Sequence, residues 1–543
     1  MDIDDEKKGH VPPPLGGDLP AGEQQAFGEG HDSDMEAKAP TSQPEKTALD
    51  TDTGDERRRE QSRKSSESEM PSNHDLEKGQ TTSTTEPEEP PDPNIVDWDS
   101  PDDPANPQNW TAKKKWANIA TLSFLTLLIP LASSMFAPGV PQVIEEFHTT
   151  SQALATFVVS VYILGFAMGP LVLAPLSEMY GRVHIYNFCN VIFTIFTVAC
   201  ALATNMNMLI AFRFLAGCFG VAPITNGGGT IADLMPPENR GAAMSIWAIG
   251  PLLGPIIGPV AGGFLSDAEG WRWIFWLLTI ASGFATIINF LVARETYAPV
   301  LLEQKAKRLR KETGNPNLVS KLDLGISTKE LWKRSLLRPA KLLFLSPICA
   351  FMSIYLAVVY GIMYLLFTTF TFVFQENYGF SESIVGLVFI GLGIGMLAGL
   401  AVLGSQSDRI MQVLAKKHND GKVKPEYRLP LLVYSGPFIP IGLFIYGWTA
   451  QYEIQWAVPL LGTLFVGIGM IGAFMCINTY LIDAYSRYAA SAMAANTVLR
   501  SIFGAVFPLF GLQMYDGLGL GWGNSLLGFI SIALCGIPCI FYW

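Results

Sequence analysis

From Trp116 to Trp543 the chain alternates apolar runs of some twenty residues with polar connections. At about 1.5 Å of rise per residue, a run of about 20 crosses a hydrocarbon core about 30 Å thick. Twelve runs are predicted as membrane-spanning helices, near 116–136, 155–175, 184–203, 207–232, 243–265, 273–293, 343–374, 382–403, 430–450, 455–482, 489–512 and 524–543. The polar segment 294–342 divides them six and six.

Basic residues gather in the cytosolic connections of membrane proteins, which tests this count independently. With the amino terminus inside, the connections after spans 2, 4, 6, 8 and 10 hold 21 Lys and Arg, and the outer ones hold only Arg272. An odd number of spans would destroy that asymmetry. Lys113, Lys114 and Lys115 immediately before span 1 add to it, so both termini are expected in the cytosol. The sequon Asn109-Trp110-Thr111 would then remain unmodified.

Composition agrees with a lipid environment. Hydrophobic residues make up 49% and charged residues 16%, against about a quarter charged in soluble domains. The seven cysteines all fall within apolar runs, which offers neither a disulfide framework nor a loop-borne zinc site. The net charge of −11 conceals two parts: residues 1–109 carry 28 acidic and 10 basic side chains, and the remainder 20 and 27. The acidic, Ser/Thr/Pro-rich tail cannot bury enough apolar surface to offset its ordering entropy. It is expected to be disordered, serving as a solvated tether or as a segment phosphorylated among Ser62, Ser65, Ser66 and Ser68. No apolar run follows Met1, so no cleavable signal peptide is expected. The predicted organisation is a tail (1–95), an amino-terminal bundle (96–293), a cytosolic linker (294–342) and a carboxy-terminal bundle (343–543). Within the linker, the basic run Lys305–Lys311 lies against an anionic leaflet or forms a solvated amphipathic connector.

The halves repeat one another. Ser177-Glu178-Met179-Tyr180-Gly181-Arg182 follows span 2, and Gly404-Ser405-Gln406-Ser407-Asp408-Arg409 follows span 8. Related bundles of this kind place a substrate site near the midplane between them. The segment Ala174 to Arg182 resembles the signature between helices 2 and 3 of the major facilitator superfamily. Arg213-Phe214-Leu215-Ala216-Gly217 resembles that family's helix 4 motif, with Ala216 where many members carry Gln. Gly250-Pro251-Leu252-Leu253-Gly254-Pro255-Ile256-Ile257-Gly258-Pro259, with Gly262 and Gly263, resembles its helix 5 antiporter signature. Trp98-Asp99 through Trp110, and Glu295 to Val300, look like segments of the fungal twelve-span drug:proton antiporters. The resemblance covers residues 95–543 and implies an all-α major facilitator fold of two pseudo-repeated six-helix bundles. It also implies a basic tail after span 12, where this sequence stops at Trp543.

At the corner after span 2, Gly181 permits a tight turn, while Glu178 and Arg182 can pair with Asp233 and Arg240 as a conformational gate. Asp408 with Arg409 is the expected counterpart in the second half. Ordinary loop charges that orient the protein are the alternative. Arg213 and Arg500 lie deep within spans 4 and 11, where a guanidinium costs several kcal/mol unless it meets a partner or a water-filled cavity. For Arg213 the resemblance implies proton coupling. Arg500 is read either as a cavity residue or as a structural donor to carbonyls or Asn496. Tyr360, Tyr364, Phe367, Thr371 and Phe374 share one face of span 7, which either lines the substrate cavity or packs against helices or lipid. Asn226, Asn478 and Asn496 are polar at membrane depth, as ligand contacts or interhelical bonds. The glycines at 250, 254, 258 and 262 form a smooth stripe, beside Pro251, Pro255 and Pro259.

No phosphate-cradling loop, metal-spaced His pair or catalytic triad is present in the sequence, and no Asp or Glu lies unambiguously at midplane. No enzyme activity, cofactor, metal or nucleic-acid partner is therefore expected. The expected function is a monomeric, proton-coupled plasma-membrane antiporter that exports hydrophobic or cationic small molecules; a vacuolar membrane would give the same spans. Polyamine export, narrow metabolite export and nutrient sensing by a non-transporting relative are the alternatives, with uptake symport disfavoured by the helix 5 signature.

Overall fold

A computed structural model describes residues 94–323, 325, 327–418, 424–485 and 488–542. The acidic tail with its serines and Arg487 lie outside the described residues, as does the side chain of Asp408. Spans 1 to 3 are Ala112–Ser134, Gln152–Tyr180 and Arg182–Ala201. Span 4 is two helices, Met206–Gly220 and Ala222–Leu234, and spans 5 and 6 are Pro237–Glu269 and Trp271–Val292. In the second half, spans 7 and 8 are Pro347–Tyr378 and Glu382–His418. Span 9 is Leu429–Ser435 with Phe438–Gln451, and span 10 is Ala457–Ala484.

The last two spans, 489–518 and 520–542, run together in Ala489–Tyr542 and are parted only at Gly519 (φ 75°, ψ 167°). Twelve spans result, but the expected loop before span 12 shrinks to a single residue. The same device joins spans 2 and 3 at Gly181 (φ 96°, ψ 157°) and spans 5 and 6 at Gly270 (φ 87°, ψ 161°). That backbone region is essentially restricted to glycine. Gly270 and Gly519 occupy equivalent places in the two halves. Below, the end of the bundle that carries Gly181 is the corner end, and the end that carries Gly270 and Gly519 is the far end.

Small residues let spans approach closely, as expected where lipid removes any hydrophobic drive between helices. The stripe on span 5 meets span 1: a Cβ on Gly250 would lie 2.9 Å from the Leu127 amide, and one on Gly254 2.9 Å from that of Leu131. One turn on, Gly258 lies against Ser134 and Met135, and Gly262 against the Met135 carbonyl. The opposite side of span 5 meets span 8, where Gly263 and Gly386 each oppose backbone of the other helix. Span 5 is thus wedged between its own half and the other one. Pro251, Pro255 and Pro259 remove backbone donors from this helix without breaking it.

Segment 294–342 is more ordered than a solvated connector. It holds helix Ala298–Thr313, strand Val319–Ser320 and most of helix Thr328–Leu345. The strand pairs in parallel with Ile95–Val96, and Val96, Ala306 and Leu318 form a small core. The Lys305 ammonium donates to the Asp97 carbonyl (2.9 Å) and to Asp99 Oδ1 (2.6 Å), and Lys321 donates to Asp97 Oδ2 (2.6 Å). That bond holds the Asp97 carboxyl below the usual aspartate range. Within the basic run, Lys307 and Arg310 pair with Glu303, and Arg308 with Glu312.

Candidate functional site

Three groups of residues converge from the spans. The first is at the corner. Arg182 opens span 3, donates from Nη1 to Ser177 Oγ (2.7 Å) and sits 3.5 Å from Asp233 Oδ2. Ser177 in turn donates to Asn226 Oδ1 (3.1 Å), so Asn226, 2% exposed, belongs to this corner and not to the seam between the halves. Arg240 donates to the Ala232 and Met235 carbonyls at the end of span 4, so it caps that helix rather than pairing with an acid. Glu178 is exposed and makes no ion pair among the described residues.

The acid expected in that position is supplied by Glu295, which the sequence marks only as part of a family segment. Its carboxylate accepts from the Arg182 (2.9 Å), Val183 (3.2 Å), Thr296 (3.0 Å) and Tyr297 (3.0 Å) amides. It thereby caps the start of span 3 and favours the positive end of that helix. A Cβ on Gly181 would lie 2.7 Å from Glu295 Cδ, so this glycine serves both the turn and the carboxylate's approach. Gly229 is equally constrained, its Cβ position lying 2.8 Å from Arg182 Nη2.

The second half repeats this corner with a different arginine from the expected one. Arg428, at the start of span 9, donates to Ser407 Oγ (3.2 Å) and pairs with Asp483 at the end of span 10. Ser177, Arg182 and Asp233 thus correspond to Ser407, Arg428 and Asp483. Arg409 is exposed and stands outside the pair, because its helix presents it to the surface.

The third group lies at mid-depth. Arg213 is 1% exposed. It donates from Nη2 to the Ser133 (3.2 Å) and Val159 (3.4 Å) carbonyls. The rings of Phe136, Tyr162 and Phe275 surround it at 4.9, 5.3 and 5.7 Å. Carbonyls and ring faces replace the counter-ion that a guanidinium at this depth requires. The Ser133 hydroxyl then lies 3.1 Å from that of Tyr364 across the seam between the halves. Tyr364 packs on Tyr360 (5.1 Å between ring centroids), and Arg500 sits 5.0 Å from Tyr360 and 5.1 Å from Phe474. A continuous path therefore links the two intramembrane arginines.

Of the span 7 stripe, only Tyr360 is partly exposed. Tyr364, Phe367, Thr371 and Phe374 are buried. Phe367 packs on Phe389 (5.6 Å), and Thr371 donates to the Ala137 carbonyl (3.3 Å). Asn496 donates to Asn478 Oδ1 (2.8 Å), while its own Oδ1 is buried without a partner.

The described hydrogen bonds between the halves are Ser133–Tyr364, Gln142–Glu382, Gln152–Asp516, Ser160 to the Ala505 carbonyl and Thr371 to the Ala137 carbonyl. All lie at or beyond mid-depth, toward the far end. None among the described residues ties the halves together at the corner end.

Two related six-span halves, hydrogen-bonded together toward one end and, among the described residues, not at the other, with one buried and one part-exposed arginine at mid-depth, define a polytopic membrane transporter. The chain belongs to the Major Facilitator Superfamily, whose description it matches over residues 122–508. It is 63% identical over 466 residues to the efflux pump radE of Floropilus chiversii, covering 86% of this chain and 87% of that one. It is 58% identical over 450 residues to the MFS-type transporter tndD of Aspergillus flavipes, covering 82% and 84%. Among solved structures it resembles the xylose transporter XylE from E. coli, in a partially occluded inward open conformation. That likeness has a TM-score of 0.59 at 17% identity, covers 78% of this chain and 97% of the other, and concerns the fold alone.

Proposed function

We propose that the protein is a proton-driven antiporter that exports hydrophobic organic molecules across the plasma membrane, with its corner end in the cytosol. The observation that carries this reading is the one-sided seam: hydrogen bonds close the far end, none among the described residues closes the corner end, and Tyr360, Phe474 and Arg500 are part-exposed at mid-depth. A carrier held in this form takes its cargo from the corner end. The excess of Lys and Arg in the corner-end connections supports placing that end in the cytosol, and the name of the radE relative supports export.

Turnover proceeds by rocking of the halves. The far-end bonds part, the corner end closes, and the Arg182–Asp233 and Arg428–Asp483 pairs brace the two corners as rigid bodies. Arg213 couples this motion to protons. Its carbonyl and aromatic contacts come from spans 1, 2 and 6, so a change in the local charge shifts the packing of three helices at once. The gradient supplies about 2.3 kcal/mol per charge per 100 mV and about 1.4 kcal/mol per pH unit.

Cells that express the chain are loaded with a panel of fluorescent hydrophobic dyes, with and without a protonophore. Reduced accumulation of at least one dye, restored to the control level by the protonophore, is expected. Unchanged accumulation across the panel, or export indifferent to the protonophore, contradicts the proposal.

A further inference from the structure

Arg500 is the charged group at mid-depth that the helices leave unprovided for. Its Nε, like that of Arg213, is buried without a hydrogen bond, but no hydrogen bond or ion pair joins any part of the Arg500 guanidinium to a described residue. Arg213, by contrast, has two carbonyl partners and three surrounding rings. Eleven residues from the start of its helix at Ala489, Arg500 lies about 17 Å along the axis. It is nonetheless part-exposed, as are Tyr360 and Phe474. The group lies at the seam: one turn on, a Cβ on Gly504 would lie 3.0 Å from Tyr360 and 3.3 Å from Ile163 of the other half.

The surroundings fix the sign of what fits. In the described spans every Asp and Glu lies toward an end by its position along the helix: Glu178, Asp233, Glu238, Asp408 and Asp483 on the corner side, and Asp267, Glu269, Glu376, Glu382 and Asp516 on the far side. Among the described residues no carboxylate is available at mid-depth to receive a cationic cargo. Rings on spans 7 and 10 flank the guanidinium at 5.0 and 5.1 Å, leaving its N–H edge for an acceptor. An unpaired guanidinium at membrane depth costs several kcal/mol, and an anion between aromatic faces removes that cost.

We infer that Tyr360, Phe474 and Arg500 form the cargo site and that the cargo is an aromatic weak acid, a phenolate or carboxylate, rather than a cation. The acid group takes charge-assisted hydrogen bonds from Arg500, and the ring lies along Tyr360 and Phe474. This deepens the proposed export reading and rests on it for direction and drive.

The test compares two dyes of one ring system, fluorescein (an acid) and rhodamine 6G (a cation), binding to the purified full-length protein in lipid nanodiscs. Fluorescein is expected to bind and rhodamine 6G not to. Arg500→Gln should weaken fluorescein binding about tenfold or more, and Arg500→Lys, which keeps charge but loses the planar stack, should weaken it less. If Arg500→Gln fails to fold, the double change Tyr360→Leu with Phe474→Leu must weaken binding by itself. Preference for rhodamine 6G, binding of neither dye, or fluorescein binding indifferent to all these changes overturns the site. Export of fluorescein that depends on Arg500 but ignores a protonophore leaves the site standing and refutes proton drive instead.

Discussion

The hydroxyls of Ser133 and Tyr364 lie 3.1 Å apart on spans 1 and 7, and this buried bond joins the two halves beside both intramembrane arginines. The Ser133 carbonyl meanwhile holds Arg213. One residue thus touches the seam through its side chain and the buried charge through its backbone, so parting the halves also disturbs the arginine.

Tyr364→Phe removes that bond and keeps the ring. A neutral hydrogen bond contributes about 1 kcal/mol, enough to shift a two-state balance about fivefold. Labelling by an impermeant maleimide of a cysteine placed at Ala137, which is buried and meets the other half through its carbonyl, should rise by about that factor as the far end opens more often. Unchanged labelling would mean that the bond does not bias the balance.

Arg213→Lys keeps the charge and loses the planar group that fits between three rings. Protonophore-sensitive export should fall at least tenfold, with the amount of folded protein in the membrane nearly unchanged. Wild-type export from this variant would remove Arg213 from the coupling scheme.

The second-half corner gives Arg428 the place expected for Arg409. Arg428→Ala should impair export as strongly as Arg182→Ala, because both break a Ser–Arg–Asp triplet, whereas Arg409→Ala should leave it near normal. Equal loss from Arg409 and Arg428 changes would contradict the assignment.

Glu295→Ala abandons four amide donors at the start of span 3. It should lower thermal stability by about 2 kcal/mol or more, and Glu295→Gln by less, since an amide oxygen still accepts. Gly181→Ala should be worse than either, because it is strained at φ 96° and pushes a methyl into the carboxylate. Thermal melting in detergent orders the three.

The linker module carries a pH prediction. Because Asp97 has its pKa lowered in the folded form, its pairing with Lys321 is present above the unfolded value of about 3.9 and is lost as pH falls through the folded one. Protection of segment 314–322 from limited proteolysis should hold from pH 8 to 5 and fade only below about pH 4. Fading near neutrality would assign the protection to other groups.

The spans were legible because the bilayer sets a length that any apolar run must meet, and Arg182 because a short repeat marks the corner. Glu295 was not legible as part of that corner. It lies more than a hundred residues away in sequence and arrives only when span 6 ends beside span 3. Arg428 was not legible for the same reason: it stands nineteen residues after Arg409, at the start of span 9 and outside the repeated segment, and local repetition does not say which arginine the fold brings to Asp483. On span 7 the run from Tyr355 to Phe374 is apolar almost all round, so no stripe reveals its exposed face. Burial of Tyr364 and Phe367 beside a part-exposed Tyr360 needed the neighbouring helices in place.

The most direct measurement uses purified protein in liposomes with an acidic lumen, supplied externally with fluorescein and read after filtration and lysis at fixed pH. Passive distribution of a weak acid would exclude it from an acidic interior. Proton antiport predicts accumulation above the external concentration, rising with the imposed gradient and abolished by a protonophore. Equilibration to the passive level, with or without the gradient, would contradict it.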